Sequence, residues 1–154
     1  LSLELKTTNN GSTPVTIGGA LHSYFYISDI QKVTLTGLDK TTYLDTLVGK
    51  EKLQDGPIRI DSEVDRIYLE SNQPVEIYDP EFQRAIHIEK SGSESTVIWN
   101  PWTEKSQTMA DLDNDEFHSF VCVEAANALE DVHILAPAAE HCLTTKISSI
   151  PTSA

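Results

Sequence analysis

Apolar and polar residues alternate with a period of two along much of this chain. Leu1, Leu3 and Leu5 alternate with Ser2, Glu4 and Lys6, Val33 and Leu35 with Thr34 and Thr36, and Ile86 and Ile88 with His87 and Glu89. Successive side chains of a strand point to opposite faces, so each run predicts a strand with one apolar face. Turn-forming clusters separate the runs: NNGS at 9–12, TGLDK at 36–40, LQDGP at 53–57, SNQP at 71–74, YDP at 78–80 and KSGSES at 90–95. Short strands with turns every 8 to 15 residues, roughly, predict an all-β antiparallel sandwich or barrel. Helical character is confined to two short stretches, Thr103–Ala110 and Ala136–His141. No linker, low-complexity segment or internal repeat interrupts the pattern, which predicts one β-rich unit over residues 1–154.

One run departs from alternation. Phe120 to Ala128 reads FVCVEAANA, apolar on both faces, which predicts a strand covered on both sides. Phe120, Cys122 and Glu124 share one face; Val121, Val123 and Ala125 share the other. An ionised carboxylate in such a run costs several kcal/mol, roughly, unless it is paired, hydrogen-bonded or facing a wet cavity. Glu124 therefore needs a compensating environment.

Composition narrows the choices. Hydrophobic residues make up 39% and charged residues 23% of the chain, as in ordinary globular domains. The formal net charge of −13 and the absence of any basic run exclude a general nucleic-acid binder. No apolar stretch approaches the ~20 residues of a membrane helix, so no membrane association is expected. The opening LSLELKTTNNG resembles neither a signal nor a transit peptide. It starts without Met and in mid-pattern, so a segment of a longer protein is expected. Cys122 and Cys142 read as two reduced thiols, which suits a cytoplasmic protein.

Several clusters suggest chemistry that their spacing does not support. The acidic DLDNDEF (111–117) fails as a calcium loop, with Glu116 at the position that needs Gly and Cys122 at the position that needs a bidentate Glu. It reads as a solvated turn. His133, Glu140, His141 and Cys142 match no zinc spacing, and no metal is expected. Nothing in the sequence nominates a His to activate Cys122, which reads as a small buried hydrophobe.

Alternation does gather one suggestive set. GGALHSYFYI (18–27) puts His22, Tyr24 and Tyr26 on one strand face, after paired glycines that permit a bulge or a close backbone approach. DSEVDRIYL (61–69) puts Asp65 beside Ile67 and Leu69. VIWNPW (97–102) sets Trp99 and Trp102 around a Pro, a wall for a flat ligand. The plain structural readings are a satisfied core His22, Asp65 paired with Arg66 or Arg59, and two core tryptophans. Taken with Glu124, the set describes a sugar site: aromatic platforms for the ring and carboxylates for its hydroxyls. A carbohydrate-binding sandwich without catalysis fits the same residues.

The stretches ALHSYFYISDIQKVTLTGL (20–38), DSEVDRIYL (61–69), VIWNPWTEKSQTMADLDNDEFHSFVCVEAANA (97–128) and LAPAAEHCLTTKI (135–147) resemble the galactose-mutarotase-like (aldose 1-epimerase) family, in its hexose-6-phosphate 1-epimerase branch. They run in the family's order over nearly the whole chain. The resemblance implies the C-terminal part of a galactose-mutarotase-like supersandwich and an isomerase that interconverts the α and β anomers of a hexose or hexose 6-phosphate. It implies His22 as general acid, Glu124 as general base and Asp65 as a holder of sugar hydroxyls, with Tyr24, Trp99 and Trp102 in the sugar-binding wall. It implies no cofactor and no metal. The family's N-terminal half, which carries a second active-site His and the cations for the phosphate, has no counterpart here. The expected partners are therefore the sugar, the remaining half of the same protein, or a second copy.

Overall fold

The structure, a computed structural model, describes residues 1–152. Its first strands are β1 (Ser2–Thr8), β2 (Val15–Ile17), β3 (Gly19–Leu21), β4 (Tyr24–Tyr26), β5 (Thr34–Thr36), β6 (Thr42–Asp45) and β7 (Lys50–Leu53). β8 (Val64–Tyr68), β9 (Val75–Asp79), β10 (Arg84–Ser91) and β11 (Ser95–Asn100) follow, then the single-turn helix α1 (Trp102–Ser106). β12 (Phe120–Asn127), β13 (His133–Leu135) and β14 (Glu140–Pro151) complete the chain. All of the pairings are antiparallel, as the alternation requires.

Two sheets form the sandwich. One has the order β1-β14-β10-β9-β5; the other runs β3-β12-β11-β8-β6-β7, with β4 also on β12. Between them lies the apolar set that alternation supplies: Val75, Ile77, Ile86 and Ile88 from the first sheet, and Tyr68, Ile98, Val121 and Val123 from the second. Connecting segments add Ile27, Ile30, Val33, Leu38 and Ile58 to this core. Tyr68 is fully buried and its hydroxyl donates to Gln54 Oε1 at 2.7 Å, so the ring adds apolar area without stranding a polar group.

All eight residues of β12 are buried. One face packs into the sandwich core; the other carries Cys122 and Glu124 away from the first sheet. The strand is thus covered on both sides, as its composition predicts.

Three local expectations change. The helix expected over Thr103–Ala110 is only the turn Trp102–Ser106, because the Asp- and Asn-rich segment that follows favours turns over helix. No helix forms over Ala136–His141. Pro137 disfavours helical backbone at Ala136, Ala138 takes φ +62°, and β14 already begins at Glu140. The apolar positions of β1 do form a strand, yet Leu1, Leu3 and Leu5 are 77%, 39% and 44% exposed. Leu5 pairs with Leu143 and Leu3 with Thr145, two buried residues on β14. β14 packs against β3 and β12 of the second sheet, which stops short of β1.

Candidate active site

Cross-strand register assembles the site. Tyr24 of β4 lies opposite Cys122 of β12, Cys122 opposite Trp99 of β11, and Trp99 opposite Asp65 of β8. One step along, Glu124 lies opposite Val97, and Val97 opposite Ile67. Directly opposed residues point to the same face. Four strands distant in sequence therefore present Tyr24, Cys122, Glu124, Trp99 and Asp65 together, on the face turned away from the first sheet.

His22 reaches this face by a break in the ladder. β3 pairs with Ala125 to Asn127 and β4 with Phe120 to Cys122, so Val123 and Glu124 have no ladder partner on that edge. His22 and Ser23 span the gap. The expectation that His22, Tyr24 and Tyr26 share one continuous strand face is thereby corrected: the strand is interrupted at His22, which frees the imidazole to turn toward Glu124. Upstream, a Cβ at Gly18 would lie 2.9 Å from the Asn127 carbonyl oxygen, so Gly18 serves a close backbone approach, whereas Gly19 has open space around it.

His22 Nε2 lies 3.3 Å from Glu124 Oε1, with the Glu124 side chain 6% exposed and His22 49% exposed. Burial, and next the negative charge of Asp65, push the Glu124 carboxyl up to about 7. The carboxylate thus stays near neutrality, within reach of an imidazole that faces solvent. The His22 ring stacks on Tyr24 at 4.9 Å between centroids and meets Trp99 edge-on at 5.9 Å. Trp99 and Phe120 close the floor at 5.8 Å. Cys122 is fully buried; burial, then Glu124, pushes its thiol well up, so it remains protonated at neutral pH.

The other expected residues divide. Asp65 is half-buried and pairs with neither Arg59 nor Arg66 among the described residues. Arg66 points to the opposite face, 3.4 Å from Gln54 Oε1 and 4.9 Å from the Tyr43 ring centroid. Trp102 does not join Trp99. Its φ of +57° turns the chain after Pro101, and its ring packs against Phe117 at 5.3 Å. Asn100 secures that turn, its Nδ2 donating to the carbonyls of Phe117 and Phe120, both at 2.9 Å.

Sequence reasoning missed two neighbours of the site. Lys105 Nζ stands 6.0 Å from the Trp99 centroid and 3.4 Å from Glu63 Oε1, a cation at the rim. A hollow of about 420 Å³ opens beside Tyr24, lined by Tyr26, Met109, Phe120 and the carboxylate residues Asp111 and Glu116. Neither feature has a local sequence signal, because the segment after Pro101 folds back without regular periodicity.

The discounted zinc group is partly brought together. His133 and His141 stack at 3.8 Å, but Glu140 pairs with Lys6 at 2.7 Å and Cys142 is exposed.

The family model described as Aldose 1-epimerase matches residues 1–148. The chain belongs to the aldose 1-epimerase family. Among aldose 1-epimerase relatives, one from Cenchrus ciliaris named "Putative glucose-6-phosphate 1-epimerase" is 35% identical over 155 residues, which covers 99% of this chain and 47% of the relative. A relative of the same name from Escherichia coli (strain K12) is 36% identical over 112 residues, 72% of this chain and 38% of its own length. The crystal structure of a "putative mutarotase (YeaD)" from Salmonella typhimurium superposes with a TM-score of 0.85 at 26% identity, covering 97% of this chain and 50% of that one. The sandwich described above is therefore the fold of this family, and the chain spans about half the length of the curated relatives it matches. No helix among the described residues is long and apolar enough to cross a membrane.

Proposed function

We propose that this chain carries the acid–base half of a hexose-6-phosphate mutarotase, with Glu124 as general base and His22 as general acid. The observation that carries the reading is the His22–Glu124 pair at 3.3 Å, with the buried carboxyl raised to about 7. A base poised near neutrality accepts a proton and returns it with little penalty in either direction, as a reversible anomerisation requires.

In the forward step the Glu124 carboxylate takes the proton of the anomeric hydroxyl. The bond from the anomeric carbon to the ring oxygen breaks, and that oxygen takes a proton from the His22 imidazolium. The open aldehyde rotates about the bond between its first two carbons. On reclosure the hydroxyl attacks the other carbonyl face, His22 recovers its proton from that hydroxyl, and Glu124 returns its proton to the carbonyl oxygen. Atoms and charges balance without metal or nucleotide. Positioned acid–base groups contribute roughly 10²–10⁴-fold.

Asp65 accepts hydrogen bonds from sugar hydroxyls, and Tyr24 and Trp99 form the apolar wall; Trp102 supports that wall through the α1 turn. Residues 1–154 act as one sandwich unit that works with the remaining half found in the longer relatives, which supplies further sugar and phosphate contacts. Hexose 6-phosphate in the cytoplasm is the substrate this reading names.

The test is anomer exchange of glucose 6-phosphate, followed by NMR at low temperature, for the chain alone and joined to its remaining half. Acceleration that is lost in Glu124→Gln and in His22→Asn supports the reading. Acceleration unaffected by both variants, or sugar binding without acceleration in the joined protein, overturns it. The second result would leave a carbohydrate-binding sandwich.

A further inference from the structure

The imidazole of His22, the thiol of Cys122 and the carboxylate of Glu124 have ligand atoms within 4.8 Å of one another, the only such group of three among the described residues. We infer that these three side chains form a latent site for a borderline-soft divalent cation of the Zn²⁺ class, which binds in place of the sugar. Imidazole nitrogen, thiolate sulfur and carboxylate oxygen are each donors that zinc takes, and zinc sites with three protein ligands leave an open fourth position. Magnesium and calcium prefer oxygen donors and are disfavoured by the sulfur and the nitrogen.

The geometry needs only a small closure. Donors held at roughly 2.0–2.3 Å around a tetrahedral ion lie about 3.3–3.8 Å apart. The His22–Glu124 edge already measures 3.3 Å. The longest edge shortens by about 1 Å on this geometry, and His22 sits on the two-residue ladder break, where its ring can move without disturbing a pairing. Cys122 and Glu124 are two residues apart on one face of β12, so their spacing is set by the strand. The His22 side chain is 49% exposed, so a cation held beside it has access to solvent for a fourth ligand. Asp65, whose charge already acts on Glu124, adds a favourable field for a cation. On binding, the Cys122 thiol proton and any proton on Glu124 pass to solvent, leaving a thiolate and a carboxylate on the cation.

The site itself follows from the placement of the side chains. Only its consequence, inhibition, rests on the mutarotase reading, because occupancy takes both the acid and the base.

Co²⁺ is the probe, added to the chain in a Cys142→Ser background that removes the exposed thiol. The expected result is a thiolate-to-cobalt charge-transfer band that Zn²⁺ displaces and that Cys122→Ala abolishes with the far-UV circular dichroism unchanged. His22→Gln is a second variant on an exposed, unpaired segment. Loss of an outer-sphere partner typically costs a site about 10–100-fold in metal affinity, so loss of a direct ligand is expected to weaken Co²⁺ binding at least that much. A protein that accelerates anomer exchange should lose that acceleration in Zn²⁺ and regain it with EDTA, and Cys122→Ala should resist the inhibition. Absence of the band, its persistence without Cys122, or affinity unchanged in His22→Gln overturns the site. With the band intact, absence of acceleration in metal-free protein would count against the mutarotase reading alone, whereas acceleration that Zn²⁺ leaves unchanged would overturn binding in place of the sugar.

Discussion

Replacing Glu124 with Gln is expected to make the fold more stable at alkaline pH. The carboxyl shifts from 4.5 to about 7 on folding. Each unit corresponds to ~1.36 kcal/mol, so the shift represents roughly 3 kcal/mol. The sign follows from proton binding. A carboxyl raised in the folded state holds its proton more tightly there than in the unfolded chain, so its contribution is complete below pH 4.5 and is lost as pH rises through about 7. With only 6% of the side chain exposed, solvent screens little of this effect, whereas a protonated His22 at 3.3 Å offsets part of it. Gln keeps the shape without the charge. Urea denaturation of both proteins between pH 4.5 and 8.5 should show wild type falling by up to about 3 kcal/mol relative to Glu124→Gln across that range. A difference that does not change with pH would refute the argument that burial, more than any compensating partner, sets the state of this carboxyl.

Three further outcomes are expected. Asp65→Asn removes the second cause of the Glu124 shift, so the side-chain carbonyl carbon of Glu124, followed by NMR, should titrate at a lower pH than in wild type. Asn100→Ala strands the carbonyls of Phe117 and Phe120 beneath the α1 turn and should lower unfolding free energy by roughly 2–4 kcal/mol in urea melts, where an unchanged midpoint would contradict the role given to Asn100. Gly92 has φ +71°, and a Cβ there would lie 2.0 Å from the Cys142 carbonyl oxygen, so Gly92→Ala should shift the thermal midpoint down by several degrees or prevent folding.

The residues differ in how far local pattern announced them. Glu124 was visible because its neighbours are small or apolar on both faces, and a buried carboxylate in that setting has few explanations other than a site. Asp65 and Trp99 followed from alternation, which assigns faces but not partners. That they stand side by side depends on β8 pairing with β11, a choice made by the whole sheet. His22 was named, but its geometry was misread. Periodicity continued the strand through it, whereas β12 pairs with two short strands and leaves His22 and Glu124 facing each other across the gap. Trp102 misled by adjacency: three residues from Trp99, it is turned aside by its own positive φ onto Phe117. Leu1, Leu3 and Leu5 alternate like core residues, and nothing local records that the opposing sheet ends before reaching them. The overall family likeness was the strongest signal, since its motifs span strands that no short-range rule connects.

The pairing of β12 also sets the order in which the molecule can assemble. The site face needs β4, β8, β11 and β12 aligned, and β12 joins β3 and β4 from the early chain to β11. β1 likewise waits for β14, with Ser2 opposite Lys146. Pairings between such remote segments require closing large loops before any contact rewards them, so refolding should be slow. Until β12 docks, β3, β4 and β11 each present a bare edge, and a second unfolded molecule can satisfy those edges as well as the chain's own strand. Dilution should therefore govern the yield of native protein recovered from denaturant, and the appearance of the His22–Glu124 pair should mark the closing of the sheet rather than any earlier collapse.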